Sequence, residues 1–312
     1  MQALNRWLFA VTAVLCLAPA VSAVTIDWTS VGDAGNAADD TGHGAVGYGY
    51  KISTYEVTNA QYAEFLNAKA LSDPLGLYDT SMGSGFGGIS RSGTSGSYSY
   101  SSIAGRANLP VNHVSFYDTL RFANWLHNGQ GSGDTETGAY TLLGGTATPS
   151  NGTTVTREPD AIIFLPSQDE WYKAAYYSAL TASYYDYPAG SDTQTICATP
   201  TATANRANCD GAVGFMTNVG SYTGSESPYD TFDQGGNVWE WNEAIVSGSN
   251  RTIRGGSFTY PALQLGSSKR LGFGAASDAF DVGFRIAAIP EPGTGLLLMT
   301  GLLGLAFWRR SD

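Results

Sequence analysis

Three stretches of the chain space their apolar positions three and four apart, as a helix burying one face does, and each opens on the same local signal. Thr58 with Gln61 precedes Tyr62, Phe65 and Leu66; Ser115 with Asp118 precedes Leu120, Phe122 and Ala123; Ser167 with Glu170 precedes Trp171, Ala174 and Ala175. A Ser or Thr three residues ahead of a carboxylate or amide is the capping-box pattern, in which two side chains satisfy backbone amides that the first helical turn leaves open. Three helices are predicted there. Each follows a short apolar or aromatic piece, at 48–57, 109–114 and 161–165, predicted as a strand or straight segment that feeds the helix.

Elsewhere the periodicity breaks down. Residues 80–107 are dominated by Gly, Ser and Tyr with a period of neither 2 nor 3.6, which predicts a long surface loop. Gly83, Gly85 and Gly88 match the spacing of a dinucleotide fingerprint, but neither a hydrophobic strand before them nor a helix after them is visible, so no dinucleotide site is read there. Beyond residue 186 turns dominate, with short extended runs at 244–246, 251–253 and 282–287. No repeat and no linker divides the chain. The expectation is one α+β domain, rich in loops, over residues 24–289.

Both ends read as addresses. Residues 1–23 carry one cation, Arg6, an apolar run from Trp7 to Ala18 and the small-residue exit Val21-Ser22-Ala23, the form of a secretory signal peptide cleaved after Ala23. Residues 290–312 hold Pro290-Glu291-Pro292-Gly293, an apolar run from Leu296 to Trp308 and the pair Arg309-Arg310. The run is at the short edge of what crosses a bilayer as a transmembrane helix, and the arginines would face the cytoplasm. A plain membrane anchor would also look like this. The ordered box, helix and basic end resemble the PEP-CTERM sorting tail of Gram-negative bacteria. That resemblance implies Pro290, Glu291 and Pro292 as the recognition box, an exosortase as partner, and the cell surface, envelope or exopolysaccharide matrix as destination.

Composition narrows the class. The 312 residues carry 16 Lys+Arg against 27 Asp+Glu, a formal charge of −11, with 18 Tyr, 13 Phe and 7 Trp. So aromatic a chain can bury enough surface to offset its ordering entropy, which argues against disorder. Without a run of Lys or Arg, nucleic acid is a poor partner. Of three cysteines, Cys16 leaves with the signal, and Cys197 and Cys209 remain as an even pair in an oxidising compartment. We read them as a disulfide stapling a short loop, worth about 3 kcal/mol; a redox pair or soft metal site lacks further ligands nearby.

Six short words complete the picture: Tyr55-Glu56-Val57-Thr58-Asn59, Leu109-Pro110-Val111-Asn112-His113-Val114-Ser115, Leu165-Pro166-Ser167-Gln168-Asp169-Glu170-Trp171, Gly235-Gly236-Asn237-Val238-Trp239-Glu240-Trp241, Arg254-Gly255-Gly256-Ser257-Phe258 and Gly283-Phe284-Arg285. Their order and spacing over about residues 45–288 resemble the formylglycine-generating-enzyme/sulfatase-modifying-factor domain. The resemblance implies a C-type-lectin-like α+β fold, loop-rich with little regular secondary structure. Aerobic members of that family oxidise a sulfatase cysteine with copper held by two thiolates between the fifth and sixth words. Here that interval, 254–285, contains no cysteine, and Ser267, Ser268 and Lys269 cannot replace soft sulfur, so copper is not expected. Another branch uses an iron site on an added histidine-rich domain, whereas this chain has only His43, His113 and His127, widely spaced. His113 is read as structural or hydrogen-bonding, and no catalytic pair stands out.

The resemblance also implies calcium. Asp233, Gly236, Val238 and Glu240 match the family's second calcium loop, while Asn208 and the Cys209 carbonyl match the start of the first. Hard carboxylate and carbonyl oxygens on a Gly-rich turn suit that ion. A solvated turn with a salt bridge from Glu240 to Arg254 or Arg285 is the competing reading. Trp171, Trp239 and Trp241 are expected in the core, with carbohydrate stacking as the alternative. The function expected is an exported, surface-sorted binding or structural protein without the copper centre; the alternative is a formylglycine-type oxidoreductase, or another modifier of secreted proteins, with unrecognised active-site residues.

Overall fold

The computed structural model describes residues 23–290, so the signal sequence before Ala23 and the tail after Pro290, including Glu291, Pro292 and the apolar run, lie outside the described residues. No helix among the described residues is long and apolar enough to cross a membrane. The three helices form where the pattern puts them: α1 Asn59–Lys69, α2 Phe116–His127 and α3 Gln168–Tyr176, each with a complete capping box. In chain order the strands are β1 Trp28–Val31, β2 Tyr50–Ser53, β3 Ile89–Ser92, β4 Ser99–Ser102, β5 Ile163–Phe164, β6 Tyr177–Ser178, β7 Ser183–Tyr184, β8 Ile196–Cys197, β9 Arg206–Ala207, β10 Trp239–Ser247, β11 Asn250–Arg254, β12 Leu271–Gly274, β13 Val282–Gly283 and β14 Ala287–Ala288.

Two four-stranded sheets organise the domain. One runs β1-β2-β14-β5, antiparallel throughout, with Ala287 of β14 opposite both Ile52 and Phe164. The end of the domain is thereby inserted between pieces from its beginning and middle. The other runs β12-β11-β10-β13, with β13 parallel to β10. Between helices and sheets lies an aromatic core in which the ring of Phe122 sits 5.9 Å from Tyr62, 5.4 Å from Phe65 and 5.4 Å from Phe284, mostly edge to face.

The expected loop at 80–107 is more ordered than its composition suggests. It holds a 3-10 turn at Thr80–Gly83 and the β3–β4 hairpin, which packs on α1 with Ile89, Tyr100 and Met82 buried. Ser faces out and Ile or Tyr faces in, and the Tyr100 hydroxyl donates to the Ala70 carbonyl at the end of α1 (2.8 Å). So few apolar inward positions leave no readable alternation. The extended run at 244–246 is likewise the tail of a longer strand, β10, whose first four residues are buried without alternating.

One ion-pair network fastens α3 to both sheets. Arg157 donates to Glu170 (2.6 and 2.9 Å) and to Glu243 (2.8 Å from each of two nitrogens) while covering the Phe164 ring. Burial opposes the charge on Glu170, but Arg157, the Tyr48 hydroxyl and the Ser167 amide hold its carboxyl below the ordinary range. Removing one partner from such a network leaves an uncompensated charge inside. Arg157→Leu is therefore expected to lower unfolding free energy by about 3–5 kcal/mol. A denaturant midpoint shift equivalent to less than about 1 kcal/mol would show that the network is effectively solvated.

Candidate functional site

The motif words converge because Arg285 and Glu240 meet where the ends of β10 and β13 lie side by side. Both side chains are fully buried, with Arg285 Nε donating to Glu240 Oε2 (2.6 Å) and Nη2 to Oε1 (2.7 Å). Trp171 Nε1 donates to the same Oε2 (2.7 Å), bringing α3 to the pair. The remaining donors of Arg285 reach the carbonyls of Ser53 (2.9 Å) and Phe232 (2.8 Å). Of the two candidate partners weighed for Glu240, the structure selects Arg285, while Arg254 turns to the carbonyls of Ser267 and Lys269.

Two further carboxylates sit close to this pair. Asp233 adopts φ 61° in the loop that Arg285 holds, and its Oδ2 accepts from the Gly220 amide (2.6 Å). Burial pushes its carboxyl up to about 6. Glu56 is 1% exposed; Oε2 accepts from Asn237 Nδ2 (3.3 Å) and Oε1 has no hydrogen-bond partner. Burial, then the neighbouring charges of Asp233 and Glu240, drive the Glu56 carboxyl well above the ordinary range. Three carboxyl groups thus face one guanidinium. Glu56 also lines a cavity of about 550 Å³ with Asp27, Tyr55, Gln61, Asn108 and Asn218, a size suited to a small ligand.

The two predicted calcium loops touch. Gly236 has φ 91°, and a Cβ there would lie 2.4 Å from the Asn208 carbonyl oxygen, so only glycine allows the contact. The Asn237 amide donates to that carbonyl (2.9 Å), and Asn208 Nδ2 donates to the Phe215 carbonyl (2.8 Å), leaving buried Asn208 Oδ1 without a partner. The Cys209 carbonyl accepts from the Ala212 amide (3.0 Å), and Val238 sends its side chain into a small core with Leu109, Met216 and Phe258. The structure sets Asn208 against Gly236 and Asn237, and Asp233 and Glu240 around Arg285. Glu56, absent from the predicted ligand set, joins them. Its signal was present in the first motif word, but nothing local announces that a glutamate beside a helix cap will be buried.

The donor set separates the two candidate metals. Copper does not fit: no cysteine lies between Arg254 and Arg285, and Cys209, fully buried, is disulfide-bonded to Cys197 with Cα atoms 4.9 Å apart. Hard oxygens fit calcium better at Asn208 and Asp233 than at Glu240, whose Oε2 already accepts two N–H groups. The histidines keep separate partners, Gln168 for His43, Asp278 for His113 and the Ile162 amide for His127.

This architecture can be set beside known proteins. Residues 30–289 match the family described as the sulfatase-modifying factor enzyme 1-like domain. The chain belongs to that family. Residues 288–311 match the PEP-CTERM protein-sorting motif, which marks the sulfatase-modifying factor-like domain for export and surface sorting and implies recognition by an exosortase. Among solved structures, the Treponema denticola variable protein 1 aligns at TM-score 0.56 and 18% identity, over 86% of this chain and 97% of that one. CarF aligns at TM-score 0.54 and 22% identity, over 86% and 99%. At such identities the likeness concerns the fold, here the loop-rich α+β fold of formylglycine-generating-enzyme-like proteins. No curated protein matches the chain by sequence.

The state of Glu56 can be tested directly. A carboxyl raised in the folded protein keeps its proton there and loses it when unfolded, so its contribution is favourable at low pH and is lost as pH rises above the ordinary glutamate value. Glu56→Gln keeps an acceptor for Asn237 without the charge. In EDTA this variant should be more stable than wild type at neutral pH, with the difference shrinking toward about pH 4.5, the ordinary glutamate range. Equal stability at all pH values would mean that the carboxyl is solvated.

Proposed function

We propose that this member of the sulfatase-modifying factor family works at the cell surface as a binding or structural protein, with the Glu56 cavity as its ligand site. The observation that carries this reading is a concave cavity of about 550 Å³ lined by Glu56 with Asp27, Asn108 and Asn218, in a chain whose only cysteines in the described domain are cross-linked. Exposed Asp27, Asn108 and Asn218 offer polar groups around the same cavity. A small polar ligand is the chemistry these groups suit, and we propose the envelope or the exopolysaccharide matrix as its source, a reading that surface sorting supports.

The competing reading is a formylglycine-type oxidase. Purified protein should contain no stoichiometric copper and should leave a Cys-x-Pro-x-Arg peptide unoxidised; copper at one equivalent with aldehyde formation would overturn the proposal.

Calcium is the structural partner we propose at the touching loops, through Asn208, the Cys209 carbonyl, Asp233, and the carbonyls of Gly236 and Val238. Three carboxyl groups against one guanidinium leave two negative charges when all are ionised, which one divalent cation offsets. Calcium should raise the thermal midpoint and EDTA should lower it, by the equivalent of about 2.7 kcal/mol at a hundredfold excess over Kd. Asp233→Ala and Asn208→Ala should remove that response. Glu240→Ala should destabilise with or without calcium, because it strands Arg285. A wild-type midpoint indifferent to calcium after EDTA treatment would refute the ion.

A further inference from the structure

A second acid-rich cavity lies on the other side of the motif words, and it includes His113. Three loops distant in sequence meet there. Asp79 opens the Thr80–Gly83 turn, its Oδ1 accepting from the Ser81 amide (2.7 Å). His113 stands just ahead of α2 at φ 55°, its amide donating to the Ala279 carbonyl (3.0 Å). That bond sets Asp278 beside the imidazole, with His113 Nδ1 and Asp278 Oδ1 3.3 Å apart. One ligand-type atom from each of the three residues lies within 4.8 Å of the other two.

The adjoining cavity, about 90 Å³, is lined by these three together with Ser115, Tyr117 and Asp118. It has room for an ion and about two or three waters at roughly 30 Å³ each. Asp118 lines the same cavity. It is 7% exposed, its Oδ2 accepts from the Ser115 amide (2.9 Å) and hydroxyl (2.7 Å), and its Oδ1 comes no nearer to a cation than 3.9 Å from Arg121 Nη1. Arg121 is committed elsewhere, donating to both oxygens of Glu136 (2.6 and 3.2 Å) and to two carbonyls. The cavity therefore gathers three carboxyl groups and an imidazole, and among the described residues no cation is hydrogen-bonded to the acids.

We infer that Asp79, His113 and Asp278 form a divalent transition-metal site of the zinc class, with Asp118 facing the metal-bound water. Ligands at 2.0–2.2 Å from one tetrahedral ion stand about 3.3–3.6 Å apart. The His113–Asp278 pair already meets that spacing. Asp79 lies within 4.8 Å of both, and metal binding would have to draw it the rest of the way. One imidazole nitrogen with two carboxylates suits zinc over calcium, which takes six to eight oxygens, and over manganese, which binds more weakly to a nitrogen-containing set. Three protein ligands leave a position open to water on the cavity side. This site is separate from the calcium loops and does not depend on the ligand assigned to the Glu56 cavity.

The test uses the purified, tag-free chain after EDTA treatment and dialysis. Zinc titrated by calorimetry in the presence of excess calcium should bind at one equivalent. His113→Ala and Asp278→Asn should each weaken it by at least about tenfold, the scale of losing a metal-site contact. The chain has only three histidines, so imidazole NMR resonances provide a readout that needs no variant. Zinc should shift the His113 signals and leave those of His43 and His127 in place. Absence of zinc binding, undiminished binding by His113→Ala, or shifts at His43 or His127 alone would overturn the assignment and leave an ordinary His–Asp ion pair.

Discussion

Everything that gives this domain its shape passes through the buried contact between Arg285 and Glu240. A guanidinium and a carboxylate, both fully enclosed, are tolerable only when their remaining donors and acceptors are also satisfied. Here the leftover donors fasten the end of β2 and the loop before Asp233, and the leftover acceptor capacity of Glu240 takes the indole N–H of α3. The pair can work only if α3, β2, β10 and β13 arrive together. Its polar demands therefore specify one arrangement of elements that are individually too short to specify it.

That dependence explains which parts of the fold were legible in the sequence. The helices were readable because a capping box is a local device, complete within four residues, and all three boxes form as written. The motif words were readable as words, since Gly236 and Glu240 each serve a contact that admits almost no substitute. The β3–β4 hairpin was not, because its buried positions are few and its Ser-rich outer face has no hydrophobic contrast. Glu56 was not either, since its burial is a property of loops almost two hundred residues away. The partner of Glu240 stayed open between Arg254 and Arg285 for the same reason: even the strand register places Arg254 opposite Glu240, and what frees the position for Arg285 is that the Arg254 guanidinium turns to the carbonyls of Ser267 and Lys269.

The interval between the fifth and sixth words, which holds no cysteine, is fixed by contacts of its own. Arg254 donates to the carbonyls of Ser267 (2.9 Å) and Lys269 (3.0 Å), and the Ser257 hydroxyl donates to Asp281 (2.7 Å). Leu265 is fully buried in a cluster with Ala207, Cys209 and Ala262. The path between the fifth and sixth words is thus held by backbone carbonyls and a small apolar cluster.

The charge distribution carries this reasoning outward. Five cations are buried in the described domain, Arg121, Lys173, Arg251, Arg254 and Arg285, against five buried acids, Glu56, Asp118, Glu170, Glu240 and Asp281. They are not matched pair by pair: Arg251 and Arg254 donate to backbone carbonyls, whereas Glu56 and Asp118 each keep an oxygen without a hydrogen-bonded cation. A formal charge of −11 leaves few spare surface cations to visit these acids. Like charges in a poorly solvated cavity raise one another's cost of ionisation, so the folded state is under electrostatic stress at neutral pH unless protons or metal cations take up the charge. The stress falls on Glu56 in the segment before α1 and on Asp118 in the first turn of α2. The Arg285–Glu240 contact is matched and fully enclosed, while the unmatched charge sits apart from it at Glu56 and Asp118.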